Sequence, residues 1–225
     1  MDKITVYLEI GKTRSFAGAL EWPGWCRSGR EETAALQSLF DYGPRYALAI
    51  QTAHQGFTPP FEIAVLTVVE RLPGGGGTDF GAPEQVPSGD AQPITADELQ
   101  RQLALLHACW ETFDAAASAA SGSELRKGPR GGGRELEKIV EHVHMAEVAY
   151  LGRLGGKLDA PSGTGAEPIL HATRNAILQT LERAAQGAVP AAGPRGGKHW
   201  PVRYFVRRSS WHLLDHAWEI EDRRL

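Results

Sequence analysis

Arg134 to Leu154 reads RELEKIVEHVHMAEVAYLGRL. Leu136, Ile139, Val140, Val143, Ala146, Tyr150 and Leu154 return at steps of three and four, the period of a helix with one apolar face. Two histidines stand on opposite shoulders of that face. At 100° per residue His142 and His144 lie about 160° apart, so one of them can meet a neighbouring helix but not both. Periodicity does not choose between them. Glu147 falls inside the apolar stripe, where a carboxylate is either ion-paired with an arginine of a neighbouring helix or held for chemistry, as an orienting or catalytic group.

The same period continues on both sides. A helix opening at Thr95, with Asp97 and Glu98 in its first turn, carries Leu99, Leu103, Leu106, Trp110 and Phe113. Gly131–Gly133 separates it from Arg134–Leu154. A third helix is expected over Glu167–Gln186, with Ile169, Ile177, Leu178 and Leu181, and a fourth over Val202–Arg224, with Phe205, Val206, Leu213 and Ile220. Four helices with glycine-rich connections predict a four-helix bundle, whose ligand and metal sites are built from facing helices. On the fourth helix His212 and His216 are spaced i, i+4 and share a face beside Leu213 and Ile220. Two neutral imidazoles on one interior face make half of a metal site; the alternative is one hydrogen-bonded core histidine and one at the surface. Asp215 and Glu219 stand beside the pair as candidates to orient an imidazole or as solvated charges. Arg207 and Arg208 either bind an anionic substrate or pair with Glu219 and Glu221. His107 is read as core or pocket wall, and His54, His171 and His199 as surface residues.

The first 71 residues follow another rule. Ile4, Val6, Leu8 and Ile10 alternate with Thr5, Tyr7 and Glu9, as in a strand with one buried face. Ser15–Leu20 predicts a second strand, closed by the turn Trp22-Pro23-Gly24-Trp25. Glu31–Tyr46 predicts a helix that Gly43-Pro44 should break or cap, and the Val/Ile-rich Glu62–Glu70 a further strand. Leu72–Pro93, with Gly74 to Gly77 consecutive, reads as a linker. The expected class is therefore α+β: a small α+β domain over 1–71, a linker over 72–93 and an all-α bundle over 94–225.

A chain of 225 residues with 42% hydrophobic and 23% charged residues has the composition of a globular protein, which excludes a mainly disordered chain. Its formal net charge of -3 offers no basic excess for a phosphate backbone, so nucleic acid is not an expected partner. Met1–Ile10 lacks the apolar core of a signal peptide, and no run is long enough for a membrane span, so a cytoplasmic location without membrane association is expected. Cys26 and Cys109 lie too far apart for a zinc ribbon and are read as free thiols, Cys109 buried.

The run His142-Val143-His144-Met145-Ala146-Glu147-Val148-Ala149-Tyr150-Leu151, with His212-Leu213-Leu214-Asp215-His216 further on, resembles the DinB/YfiT-like superfamily over roughly Ile94–Leu225. That resemblance implies a four-helix bundle with a three-histidine metal site: His142, four residues before the alanine of the Ala-Glu pair, with His212 and His216. It also implies one divalent metal (zinc, nickel or iron) and a small-molecule substrate, a low-molecular-weight thiol among the candidates; beside such a metal, Glu147 or Asp215 is read as the catalytic, orienting group. Thiol-dependent transfer and hydrolysis are the activities it points to, and a homodimer is possible. Phe16-Ala17-Gly18-Ala19-Leu20-Glu21-Trp22-Pro23-Gly24-Trp25-Cys26, with Gly29 and Ala35-Leu36, resembles the HicB-like fold and implies an accessory or protein-interaction role, with Trp22 and Trp25 either facing the bundle or packing a small core. The rival expectation is a non-catalytic protein that holds a small ligand or metal.

Overall fold

The computed structural model describes residues 3–127, 133–158, 166–193 and 196–225; of the expected Gly131–Gly133 breaker, only Gly133 lies among them. Strand β1 (Ile4–Ile10) is flanked by β2 (Ser15–Ala19), antiparallel with Tyr7 opposite Gly18, and by β4 (Leu66–Pro73), parallel with Val6 opposite Val68. Strand β3 (Cys26–Gly29) pairs antiparallel with β2, giving the sheet order β3-β2-β1-β4. Helices α1 (Glu32–Asp41) and α2 (Gly43–Ala49) lie in the long connection between β3 and β4. Their junction falls where Gly43-Pro44 interrupts the expected single helix: Pro44 occupies the first turn of α2, where a missing N–H is tolerated. The last strand begins later than expected, because Ile63–Val65 forms a 3-10 turn, and it continues to Pro73.

The single buried face expected for β1 is corrected by the structure. Tyr7 and Glu9 are as buried as Val6 and Leu8. Val6 and Leu8 join the main core with Ala35 and Leu39 of α1, whereas the opposite row packs on the helical half, Phe16 meeting Trp211 edge-on at 5.9 Å. Gly18 lets the sheet close here, since a Cβ at that position would run into the Tyr7 ring.

The stretch expected as a linker is structured and fastened to both halves. It forms helix α3 (Gly76–Phe80) and a 3-10 turn at Ser88–Ala91. Buried Glu9 accepts hydrogen bonds from the Thr78 hydroxyl and from the backbone N–H groups of Glu84 and Gln85, the latter two at about 3.0 Å. Asp90 is buried against Arg207 at 2.7 Å. A carboxylate taken out of water needs such partners, so the segment is committed to one path.

Four long helices complete the chain: α4 (Ala96–Ala119), α5 (Leu136–Leu154), α6 (Ala166–Ala185) and α7 (Val202–Arg223). Thr95 caps α4 by accepting the Glu98 N–H at 3.3 Å, and Gly155, with φ +92°, ends α5 in the left-handed conformation that glycine adopts most readily. They pack in a ring: α4 on α7, α7 on α5, α5 on α6, α6 on α4. Helix α7 is buried on nearly every side, because the sheet covers what the other helices leave open. One apolar cluster runs from Val6 and Leu8 through Leu106 to Leu213 and Trp218. Trp25 packs within the N-terminal half, stacked on Tyr46 with its N–H donated to the Leu39 carbonyl at 2.8 Å, while Trp22 reaches Arg101 of α4, whose guanidinium lies 4.5 Å from its ring. Both cysteines are free and buried, and burial pushes each thiol up to about 12.

Candidate metal centre

Helices α5 and α7 cross where both carry histidine. His212 and His216, one turn apart, present their rings 4.7 Å from each other, and His142 closes the triangle at 5.1 and 5.0 Å. One ligand nitrogen from each lies within 4.8 Å of the others, and Nε2 of His142 stands 3.2 Å from Nε2 of His212. A tetrahedral ion with nitrogen at about 2.0–2.1 Å separates two ligands by about 3.3–3.4 Å, so the spacing suits one bound cation. The helical-wheel choice is resolved as well: His142 faces α7, while His144 turns to an apolar groove beside Val140, Met145 and Ile169.

The surroundings disfavour a proton on His142 and His212 and orient His216. Burial first, then the repulsion a proton on His212 would meet beside His216, Arg208 and His142, holds His212 well below the ordinary imidazole value. Burial and the neighbouring His216 lower His142 as well. His216 places Nδ1 2.8 Å from Oε2 of Glu219, whose other oxygen takes a hydrogen bond from Arg223 at 2.6 Å. The hydrogen bond from His216 depresses the Glu219 carboxyl, which therefore remains an acceptor. An imidazole that donates Nδ1–H to a carboxylate leaves its Nε2 lone pair free, the arrangement that typically supports histidine ligands to metals. A hydrogen bond between two rings would satisfy one nitrogen pair; the third nitrogen makes the cluster a donor set for a cation.

The two carboxylates expected at the site are elsewhere. Glu147 is buried between α4 and α6, accepting from the Trp110 indole N–H and from Arg174 at 3.4 Å, which is the ion-paired alternative. Asp215 pairs with Arg27 of β3 at 2.8 Å and is partly exposed. Among the described residues neither is hydrogen-bonded to a histidine of the cluster, and Glu219 alone orients one. His107 is exposed on α4, and His54 and His171 are exposed too, whereas His199, expected at the surface, is half-buried with Nδ1 2.6 Å from the Pro190 carbonyl. The wall beside His212 is aromatic: Tyr150 at 5.7 Å and Trp211 at 6.1 Å, with Trp200 5.0 Å beyond Tyr150.

No family model, curated protein or solved structure matches the chain. Among the described residues no helix is long and apolar enough to cross a membrane.

Proposed function

We propose that His142, His212 and His216 hold one divalent metal, zinc, nickel or iron, and that the chain is a metal-dependent enzyme of the DinB/YfiT-like kind acting on a small molecule. The observation that carries this reading is the convergence of three imidazole nitrogens within 4.8 Å, two of them from one face of α7. The resemblance of the His142–Leu151 and His212–His216 runs to that superfamily supports it, and the sheet half is read with it as a HicB-like accessory unit. A metal held by three histidines keeps a position open, where it lowers the pKa of a thiol or a water and acts as a Lewis acid. The chain supplies the rest. Glu219 orients His216 through Nδ1, burial disfavours a proton on His212, and Tyr150 and Trp211 wall the side of His212.

Thiol transfer is favoured over hydrolysis by one feature. Hydrolysis gains from a carboxylate base beside the attacking water, and here Glu147 and Asp215 are engaged with Arg174 and Arg27. A thiol, far more acidic than water, would give up its proton to solvent beside such a metal with less need of that base. A low-molecular-weight thiol is accordingly the expected co-substrate.

The test is metal content by plasma mass spectrometry on tag-free protein beside the His212→Ala variant. Near one equivalent in the parent and little in the variant is expected, followed by turnover in a panel of thiol, ester and amide substrates. Absence of metal from both after supplementation would overturn the reading; metal without turnover across the panel would favour a non-catalytic metal- or ligand-binding protein.

A further inference from the structure

Arg207 and Arg208 are neighbours on α7 with opposite surroundings. Arg207 is fully engaged: Nε and Nη2 donate to Asp90 at 2.7 and 2.8 Å, and Nη1 and Nη2 to the carbonyls of Ala19 and Leu20 at 2.7 Å each. Arg208 forms no ion pair among the described residues; its guanidinium hydrogen-bonds the Tyr150 hydroxyl, and its Nη1 is buried without a hydrogen-bond partner. Its guanidinium lies over the ring of Trp211 at 4.5 Å and that of Tyr150 at 5.3 Å, the two aromatic residues that flank His212. Arg208 also stands one turn before His212, so both side chains leave the same face of α7.

A buried donor without a partner costs free energy, and the cost is removed when a ligand supplies the acceptor. The planar guanidinium fork matches a carboxylate in two parallel hydrogen bonds, and packing over aromatic rings restricts it in advance. Beyond Tyr150, the half-buried Trp200 extends the aromatic surface and packs on Tyr204 at 5.1 Å. We infer that Arg208 binds the carboxylate of a small organic acid whose apolar body lies along Tyr150 and Trp200. The reacting end of that acid then points to the three histidines, a placement that rests on the metal-centre reading, whereas the carboxylate contact does not.

The test titrates 3-phenylpropionate and its neutral amide, 3-phenylpropanamide, by calorimetry into chelator-stripped protein and into protein reconstituted with zinc. In stripped protein the acid should bind about tenfold or more tighter than the amide, the range expected of a charge-assisted pair. Arg208→Gln should erase that difference and leave the amide unchanged. Arg208→Lys, which keeps the charge without the fork, should retain part of it, and circular dichroism of both variants confirms that they fold. Equal affinities in the parent, no detectable binding of the acid, or a preference that survives Arg208→Gln would overturn the inference. A preference seen only with zinc and insensitive to Arg208→Gln would place the acid on the histidine centre, sinking the Arg208 contact but supporting that centre. A preference present in stripped protein and lost in Arg208→Gln, in a chain that takes up no zinc, would do the reverse.

Discussion

Glu147 shows how much a single position can announce about itself and how little about its partners. Its place on the apolar stripe of α5 marked it as buried; which of two roles it serves depended on Trp110 of α4 and Arg174 of α6, some distance away in sequence. Burial pushes its carboxyl up to about 7 despite Arg174, which is shared with Asp114 at 2.5 and 2.9 Å. A carboxyl raised on folding contributes stability that is fully present below its unfolded value and is lost as pH rises through the folded value. Relative to Glu147→Gln, the parent should therefore lose stability between about pH 4.5 and 7 and change little above, by roughly 3 kcal/mol in all. Urea unfolding of both proteins at pH 5 and pH 8 measures it; a gap independent of pH would mean that Glu147 ionises as it does in the unfolded chain. The histidines follow the same logic. His212 and His216 declared a shared face by their spacing, but the selection of His142 over His144 needed the direction in which α5 meets α7.

Helix α7 carries more polar residues in its interior than an amphipathic pattern allows, with Arg207, Ser209, Ser210, His212 and His216 all buried. Period alone made it a helix with one apolar stripe; burial on both sides arises because the sheet packs against the face that the bundle leaves free. Arg207 is the pin. It joins β2, through the carbonyls of Ala19 and Leu20, to the 3-10 turn that holds Asp90. Removing one partner of a buried pair leaves the other charge uncompensated, so Asp90→Ala should cost about 3–5 kcal/mol, and Asp90→Ala with Arg207→Met should recover part of the loss. Chemical denaturation decides it: a loss below about 1 kcal/mol would show that the two carbonyls suffice for Arg207.

At the scale of the whole molecule, the apolar cluster that joins Leu8 to Trp218, and the strap from Pro73 to Asp90, tie sheet and helices together. Unfolding in urea followed by far-ultraviolet circular dichroism and by tryptophan fluorescence should trace one coincident transition. Two separated transitions would mean that the halves fold independently and that Leu72–Pro93 behaves as a linker after all. Composition and the glycines of Leu72–Pro93 invite that linker reading, because a segment poor in apolar residues gives no periodic sign of what it packs on. Its anchors are single polar contacts, Glu9 with the Glu84 N–H and Asp90 with Arg207, between residues far apart in the chain. By itself the sequence determined the mixed α+β class, the four long helices and the break at Gly43-Pro44, since period and backbone stereochemistry are local. Only the tertiary structure decided the burial of both faces of β1, the pairing of Glu147 and Asp215 away from the histidines, the role of Glu219 and the unpaired state of Arg208 Nη1. Those properties depend on which elements meet, and a one-dimensional pattern records only that a face will be buried, not what buries it.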